Sequence, residues 1–259
     1  MESSGLRSGV AEATSCIVEA MVLLSLRGVT RSYGRGEAAV SALRSITIDV
    51  DRGAMVAIVG PSGCGKSTLL HLCGGMDRPT SGTIALAGTP LHTLDSEALA
   101  RVRRDQVGFV FQSFNLLPTL TALENIALPL LLAGGEAHEA RRAARQLAER
   151  VGVGHRLDHF PAQLSGGEMQ RTAIPRAVIH APALVLADEP TGSLDSANGA
   201  RILELLREVN RELGVTVLLA THASELAAQA DRLVHLHDGR IVRVDDRAAS
   251  RPVTPSAAL

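Results

Sequence analysis

The sequence predicts an α/β fold with a mostly parallel β-sheet, an antiparallel β edge built from the early strands, and an inserted α-helical subdomain. Residues 183–187 and 215–220 are continuous apolar runs bounded by polar residues, which is typical of buried parallel strands. Residues 22–30 and 46–50 alternate like strands with one solvated face. From residue 118 to about residue 181, Ala, Leu, Arg and Glu dominate, and this composition favours helices.

The remaining elements follow in chain order. A turn at residues 51–53 leads into an apolar strand at 54–59, a glycine-rich loop and a helix at 68–74. A strand at 82–87, a surface helix at 94–104 and a strand at 107–111 precede the helical subdomain, about residues 115–181, whose clearest amphipathic stretch is 136–151. A helix at 200–213 separates the last two apolar strands. Residues 232–237 and 240–244 flank Asp238-Gly239, which indicates a hairpin with a type I′ turn.

Composition limits the class of protein. The chain has 259 residues, 46% of them hydrophobic, and its 26 basic and 27 acidic side chains leave a formal charge of −1. This balance argues against a nucleic-acid partner. The three cysteines, Cys16, Cys64 and Cys73, are too sparse for a disulfide framework and indicate reduced thiols in a cytosolic protein. No run reaches the ~18 apolar residues of a membrane-spanning helix, so any membrane contact is expected only through a partner.

Three segments are expected along the chain. Residues 1–20 have neither a clear period nor the apolar centre of a signal peptide, and they predict a disordered tail. Residues 21–245 form the folded domain, and residues 246–259 form a second tail.

The glycine-rich loop carries the strongest chemical signal. It fits G-x-x-x-x-G-K-[ST], the P-loop pattern, and its residues are Gly60, Pro61, Ser62, Gly63, Cys64, Gly65, Lys66, Ser67 and Thr68. Its backbone N–H groups can cradle phosphates, Lys66 supplies a positive charge to the β- and γ-phosphates, and Ser67 is a Mg²⁺ ligand. A chance glycine turn is disfavoured because a strand precedes the loop and a helix follows it. The loop alone indicates only a P-loop NTPase core.

Two adjacent carboxylates end the strand at residues 183–187. Ligands bind at the carboxyl ends of strands in open α/β sheets, so Asp188 is expected to hold Mg²⁺, together with Ser67. Glu189 would polarise an attacking water as general base. The alternative is an ordinary salt-bridged strand end.

A second anion-binding helix start is expected at Ser165, Gly166, Gly167 and Glu168. The pattern fits a capping box, with Ser165 as N-cap and Glu168 at the third helical position. An isolated S-x-x-E would indicate nothing more. The two glycines weaken the helix start by up to ~1 kcal/mol each, but they leave the backbone N–H groups bare.

Together these motifs resemble the ATP-binding subunit of an ABC transporter, over residues from about 22 to 245. The resemblance implies an ATPase that binds ATP and Mg²⁺. It also implies that the segment from Ser165 to Glu168, the signature, faces the P-loop of a second ATP-binding subunit across ATP. The resemblance implies further roles: Tyr33 would stack on adenine, Gln112 would contact Mg²⁺, Asp195 would lie at the dimer contact and His222 would contact the γ-phosphate. Tyr33 can alternatively be a packed surface tyrosine.

Residues 112–125 resemble the branch that serves lipoprotein release, macrolide export and cell-division permeases. This implies an FtsX-like permease as partner and a place on the cytoplasmic face of the inner membrane. The work driven would be export, lipoprotein extraction or mechanical signalling. Phe109 and Phe111 share a strand face and are expected in the core, whereas Phe114 is a candidate for the groove that receives the permease.

Two other protein classes fit the sequence less well. A soluble ABC-type ATPase of DNA repair or translation would bring a long coiled coil, zinc cysteines or a second nucleotide domain, none of which the sequence contains. A P-loop kinase gives no reason for the signature or for Glu189. One residue departs from the family pattern: Pro175 stands where a small residue is usual. An interior proline costs ~3 kcal/mol and kinks a helix, so a kink is expected in the helix that follows the signature.

Overall fold

The computed structural model describes residues 21–34, 39–222, 227 and 230–247. The predicted tail at 1–20 lies outside this range, as does the predicted tail at 246–259 except for its first two residues. The described strands are β1 (Val22–Tyr33), β2 (Val40–Asp51), β3 (Met55–Val59), β4 (Ser81–Leu86), β5 (Thr89–Pro90), β6 (Val107–Val110), β7 (Leu184–Asp188), β8 (Thr216–Thr221), β9 (Arg232–His237) and β10 (Arg240–Asp246). The described helices are α1 (Lys66–Cys73), α2 (Ser96–Gln106), α3 (Ala122–Leu132), α4 (Ala137–Arg150), α5 (Gly166–Val178) and α6 (Ser196–Leu213).

The strands form two sheets. A six-stranded sheet has the order β10-β9-β3-β8-β7-β6, and all its pairs are parallel except β10 with β9. The early strands form a four-stranded antiparallel sheet of their own, in the order β2-β1-β4-β5. The α/β class is confirmed, with the antiparallel part standing as a separate layer.

The six-stranded sheet is covered on both faces, as its apolar strands require. Alternate residues of a strand point to opposite faces. Met55 and Ala57 of β3 accordingly belong to one core, with the helices α3 to α6, whereas Val56 and Ile58 belong to a second core, with α1 and the antiparallel sheet. This arrangement leaves the carboxyl ends of β3, β7 and β8 together at one edge.

Helices α3, α4 and α5 form the expected helical subdomain. α4 buries Ala140, Ala144 and Ala148, which recur every four residues and therefore share one face. α5 continues through Pro175 to Val178, and α3 also contains an interior proline, Pro129. Pro175 therefore does not interrupt its helix.

Candidate functional site

The P-loop joins the end of β3 to the start of α1, and close backbone packing explains its glycines. A Cβ on Gly60 would lie 2.1 Å from the carbonyl oxygen of Leu236, and one on Gly65 would lie 2.5 Å from that of Ala42. Gly63 and Gly65 also have positive φ, of 77° and 107°. The backbone is thus held in a conformation that glycine adopts readily, with the loop amides preceding the N-terminus of α1.

Lys66 lies folded back over this loop. It is 5% exposed, and its Nζ donates to the carbonyl oxygens of Gly60 at 2.9 Å and Pro61 at 3.1 Å. The same Nζ is 3.7 Å from Oε1 of Glu189. The positive charge of Lys66 is therefore directed at the loop and at the end of β7.

The strand ends bring the predicted carboxylates to Lys66 and Ser67. Ser67 Oγ donates to Asp188 Oδ1 at 3.0 Å. Burial raises the pKa of the Asp188 carboxyl above its ordinary value, and the hydrogen bond from Ser67 opposes that shift. Hydroxyl and carboxylate oxygens are ligands that Mg²⁺ prefers, and this pair fits the expected metal site.

Glu189 lies between two cationic or potentially cationic groups. His222 Nδ1, at the end of β8, is 3.3 Å from Glu189 Oε2, opposite the Lys66 contact. Glu189 has a φ of 45°, and its N–H donates to the carbonyl of Ala220 at 2.9 Å. A non-glycine residue in the left-handed region is strained, and such strain concentrates at functional sites. The structure thus joins Lys66, Glu189 and His222 through direct contacts.

Gln112 lies two residues after the end of β6, at the same edge of the sheet. Its carbonyl accepts from Ser193 Oγ at 3.3 Å, and a Cβ on Gly192 would lie 2.8 Å from its Nε2. Gln112 is therefore packed against the segment that leads to Asp195. Asp195 caps α6 by accepting from the N–H and the side-chain nitrogen of Asn198 at 2.9 and 2.7 Å.

The capping box at the signature is confirmed. Ser165 Oγ accepts from the N–H of Glu168 at 3.3 Å, and Glu168 Oε2 accepts from the N–H of Ser165 at 2.8 Å. Arg156 Nε donates to Glu168 Oε1 at 2.8 Å. The Ser165 hydrogen bonds, followed by Arg156, lower the pKa of the Glu168 carboxyl to about 2. Glu168 therefore holds the helix start as a carboxylate.

The signature packs against the N-terminal end of α6. The Cβ position of Gly166 is 3.2 Å from Leu194 Cδ2, and that of Gly167 is 3.0 Å from Asn198 Oδ1. The helix start thus lies against the segment around Asp195. Sequence reasoning missed Arg156, because its link to Glu168 depends on the turn between α4 and α5.

Tyr33 ends β1, and its surroundings are polar. Its hydroxyl donates to Asp77 Oδ2 at 2.8 Å, and the Arg31 guanidinium carbon lies 4.4 Å from its ring centroid. Tyr33 pairs with Val40, two residues before the Ala42 carbonyl that approaches Gly65. The tyrosine is 42% exposed, and its stacking on adenine stays a prediction.

Comparison with known proteins identifies the family. A profile of the ABC transporter family matches residues 43–192. The ABC transporter ATP-binding protein YbbA of Escherichia coli K12 is 48% identical over 219 residues, which are 85% of this chain and 96% of YbbA. This chain belongs to the ABC transporter ATP-binding family. It is therefore an ATPase that binds ATP.

Other similar ABC proteins extend the comparison. The macrolide export ATP-binding/permease protein MacB of Salmonella typhi is 47% identical over 220 residues, which are 85% of this chain and 34% of MacB. A dimeric structure of the bacterial ABC transporter cassette MJ0796 is 40% identical, with a TM-score of 0.82, and covers 88% of this chain and 100% of its own. Among the described residues of this ABC chain, no helix is long and apolar enough to cross a bilayer.

Proposed function

We propose that two copies of this ABC ATPase close head to tail on two ATP molecules and thereby drive an FtsX-like permease, for export, lipoprotein extraction or mechanical signalling. The observation that carries the catalytic part is the direct contact of Glu189 with both Lys66 and His222. These three groups stand at the carboxyl ends of β3, β7 and β8, where an open α/β sheet binds its ligand.

The P-loop binds the phosphates through the backbone amides of residues 60–68 and through Lys66. Lys66 is already desolvated and bonded to two loop carbonyls, so it needs little reorganisation to approach a phosphate. Ser67, Asp188 and Gln112 would hold Mg²⁺, which would neutralise charge on the phosphate oxygens when bound.

Glu189 acts as general base. Its carboxylate follows the strand end, so it can accept a proton from a water that attacks the γ-phosphate. His222 contacts the same carboxylate and is 63% exposed at its side chain, which leaves the ring accessible to the γ-phosphate. Lys66 and His222 therefore orient Glu189 from opposite sides.

The signature completes the site of a second copy. Its helix start presents backbone N–H groups to an anion, and the positive end of the helix dipole favours phosphate there. Leu194 and Asn198, on either side of Asp195 in the chain, lie beside Gly166 and Gly167, so the dimer contact and the signature form one surface. The dimeric state of MJ0796 supports this arrangement.

A groove between β6 and the helical subdomain is suited to the permease. Its volume is about 300 Å³, and its lining includes Phe109, Phe111, Leu128, Pro129, Leu132 and Arg176. The two phenylalanine rings, which were expected in the core, are half-buried and stacked, with centroids 5.4 Å apart. Phe114, which was expected in the groove, is not among its lining residues. Aromatic residues and Arg are enriched at protein interfaces. The name of MacB combines an ATP-binding part with a permease, and this supports a permease of the same branch as the partner of this chain.

The substitution Glu189→Gln tests the catalytic role. The amide keeps the size of the side chain but cannot act as a base, so turnover should fall by roughly 10²-fold or more, while ATP binding is retained. Phosphate release measures turnover. Size-exclusion chromatography with ATP and Mg²⁺ should show a trapped dimer.

Glu97→Gln is the matched control. Glu97 lies on the exposed face of α2, where it pairs with Arg101, and the same chemical change there should leave turnover unaltered. Hydrolysis by Glu189→Gln at the wild-type rate would remove Glu189 from the role of base.

A further inference from the structure

The turn that follows Gln112 has an unusual backbone. Phe114 and Asn115 are consecutive non-glycine residues with positive φ, of 61° and 48°. Left-handed backbone is sterically unfavourable for residues with a Cβ, and it persists only where surrounding contacts impose it. Two backbone hydrogen bonds lie within the turn, from the N–H of Phe114 to Phe111 and from that of Asn115 to Ser113, and further contacts come from α5.

Arg176 makes those contacts. Its Nη2 donates to the carbonyl of Phe114 at 2.8 Å, and its Nη1 donates to the carbonyl of Asn115. Burial lowers the pKa of the Arg176 guanidinium to about 10, so it stays charged at neutral pH. In the described part of the chain, no ion pair with a carboxylate accompanies it. The guanidinium therefore holds the turn through hydrogen bonds to two successive backbone carbonyls.

The same helix touches the turn a second time. The Cβ position of Gly166, at the signature end of α5, is 3.7 Å from Phe114 Cζ. Gln112, the residue before the turn, accepts a hydrogen bond from Ser193 Oγ through its backbone carbonyl. The turn at residues 113–115 thus connects α5 to Gln112. Arg176 also lines the groove beside Leu128 and Pro129.

We propose that Arg176 is a positioning residue that fixes the turn at residues 113–115, and through it Gln112, to the signature helix. One side chain thereby links the occupancy of the groove, the orientation of α5 and the place of Gln112 at the phosphate site. The part of this inference that concerns turnover rests on the proposed ATPase site; the part that concerns the turn does not.

Hydrogen–deuterium exchange tests the two Arg176 hydrogen bonds without reference to activity. Arg176→Met keeps the apolar stem and removes both donors, so peptides covering residues 111–118 should exchange faster, while the strands β3 and β7 keep their wild-type protection. Arg232→Met is the control, because Arg232 also donates to a backbone carbonyl, that of Asp49, away from the site. Unchanged exchange at residues 111–118 in Arg176→Met would overturn the proposal.

A double-mutant cycle tests the link to Gln112. Arg176→Met should lower the ATPase turnover of the isolated protein by roughly tenfold, as a displaced positioning group does. In the Gln112→Ala background it should have little further effect, because the group that it positions is gone. Additive losses would overturn the link, whereas a wild-type protein without turnover would contradict the proposed function instead.

Arg176→Lys covers the case in which the methionine variant does not fold. Lysine keeps the charge but cannot reproduce the planar fork that spans two carbonyls. Its peptides 111–118 should exchange at rates between the wild-type and fully released turn. Wild-type exchange and wild-type turnover in this variant would show that the two-point contact is not needed.

Discussion

Glu168 shows how a single carboxylate serves a helix that is expected to receive a phosphate. A negative charge at the start of this helix would repel an anion. The Glu168 carboxylate, however, accepts hydrogen bonds from the N–H of Ser165 and from Arg156. The Arg156 guanidinium offsets the charge, and the capping box fixes the N-terminal turn. The helix start therefore keeps both a cap and a bare backbone surface at Gly166 and Gly167.

The depressed pKa of Glu168 predicts a pH dependence of stability. The carboxyl has a pKa of about 2 in the folded protein, against 4.5 ordinarily, so its contribution is present above pH 4.5 and is lost as the pH falls towards 2. Glu168→Gln keeps a capping side chain but cannot titrate. Between pH 7 and pH 3, the wild type should lose more free energy of unfolding than this variant, as measured by denaturant titration.

Glu97→Gln again provides the control, because Glu97 is 82% exposed at its side chain and should give the same pH dependence as the wild type. Equal losses in the wild type and in Glu168→Gln would show that the Glu168 contacts do not persist in solution.

The sequence shows most directly those site residues that belong to one local pattern. Ser165 and Glu168 are three residues apart, and the P-loop is one continuous segment, so their patterns are visible in the chain. Arg176 was missed, because its partners at Phe114 and Asn115 lie 62 and 61 residues away. Only the folded arrangement of β6 against α5 brings them together.

At the scale of the element, Pro175 is the residue that departs from the family pattern. α5 passes through it, and its ring is buried beside a cavity of about 180 Å³ whose lining includes Leu147, Val178 and Leu205. The proline removes the N–H that would bond to the carbonyl of Arg171, four residues earlier. The missing hydrogen bond lowers the stability of the protein, whereas the burial of the proline ring raises it.

Pro175→Ala should stabilise the protein. The change relieves about 3 kcal/mol of helix penalty and loses about two buried methylenes, worth about 0.8 kcal/mol each, so about 1 kcal/mol remains. For a domain of this size that corresponds to a rise of roughly 2–4 °C in Tm, measured by calorimetry.

Pro129→Ala is the comparison, since Pro129 is also interior to a helix but only half-buried. It should stabilise by more, because less burial is lost. A lower Tm for Pro175→Ala would mean that the packing around the ring outweighs the missing hydrogen bond.

Strand boundaries were less predictable than strand existence. β2 was expected at residues 46–50 but spans Val40–Asp51, because it pairs with β1 through several register shifts. Irregular pairing breaks the alternation from which a strand is inferred, for instance at Ser45, whose φ is 56°. The short parallel strands lack such irregularities, and their predicted positions agree with the structure to within one residue.

At the scale of the whole molecule, the parallel sheet is covered on both faces, and this arrangement places the phosphate site and the groove. The phosphate site lies at the strand ends, and the groove lies where the helical subdomain meets β6. Arg103, Arg104, Arg176 and His180 contribute basic groups to the groove. A docking segment that is apolar with at least one carboxylate would complement it.

Leu132→Arg tests this groove as the permease surface. Leu132 lies in the groove and is 65% exposed, so the substitution should leave the fold intact, as checked by thermal unfolding, while placing a further cation among basic groups. Binding to an FtsX-like permease from the same genome, reconstituted in nanodiscs, should weaken by tenfold or more, because about 1.4 kcal/mol lost from an interface is a factor of ten. Val242→Arg, a residue 63% exposed on β10 and outside the groove, should bind as the wild type does. Equal affinity for the two variants would place the permease on another face, and no binding by the wild type would favour a soluble ABC ATPase.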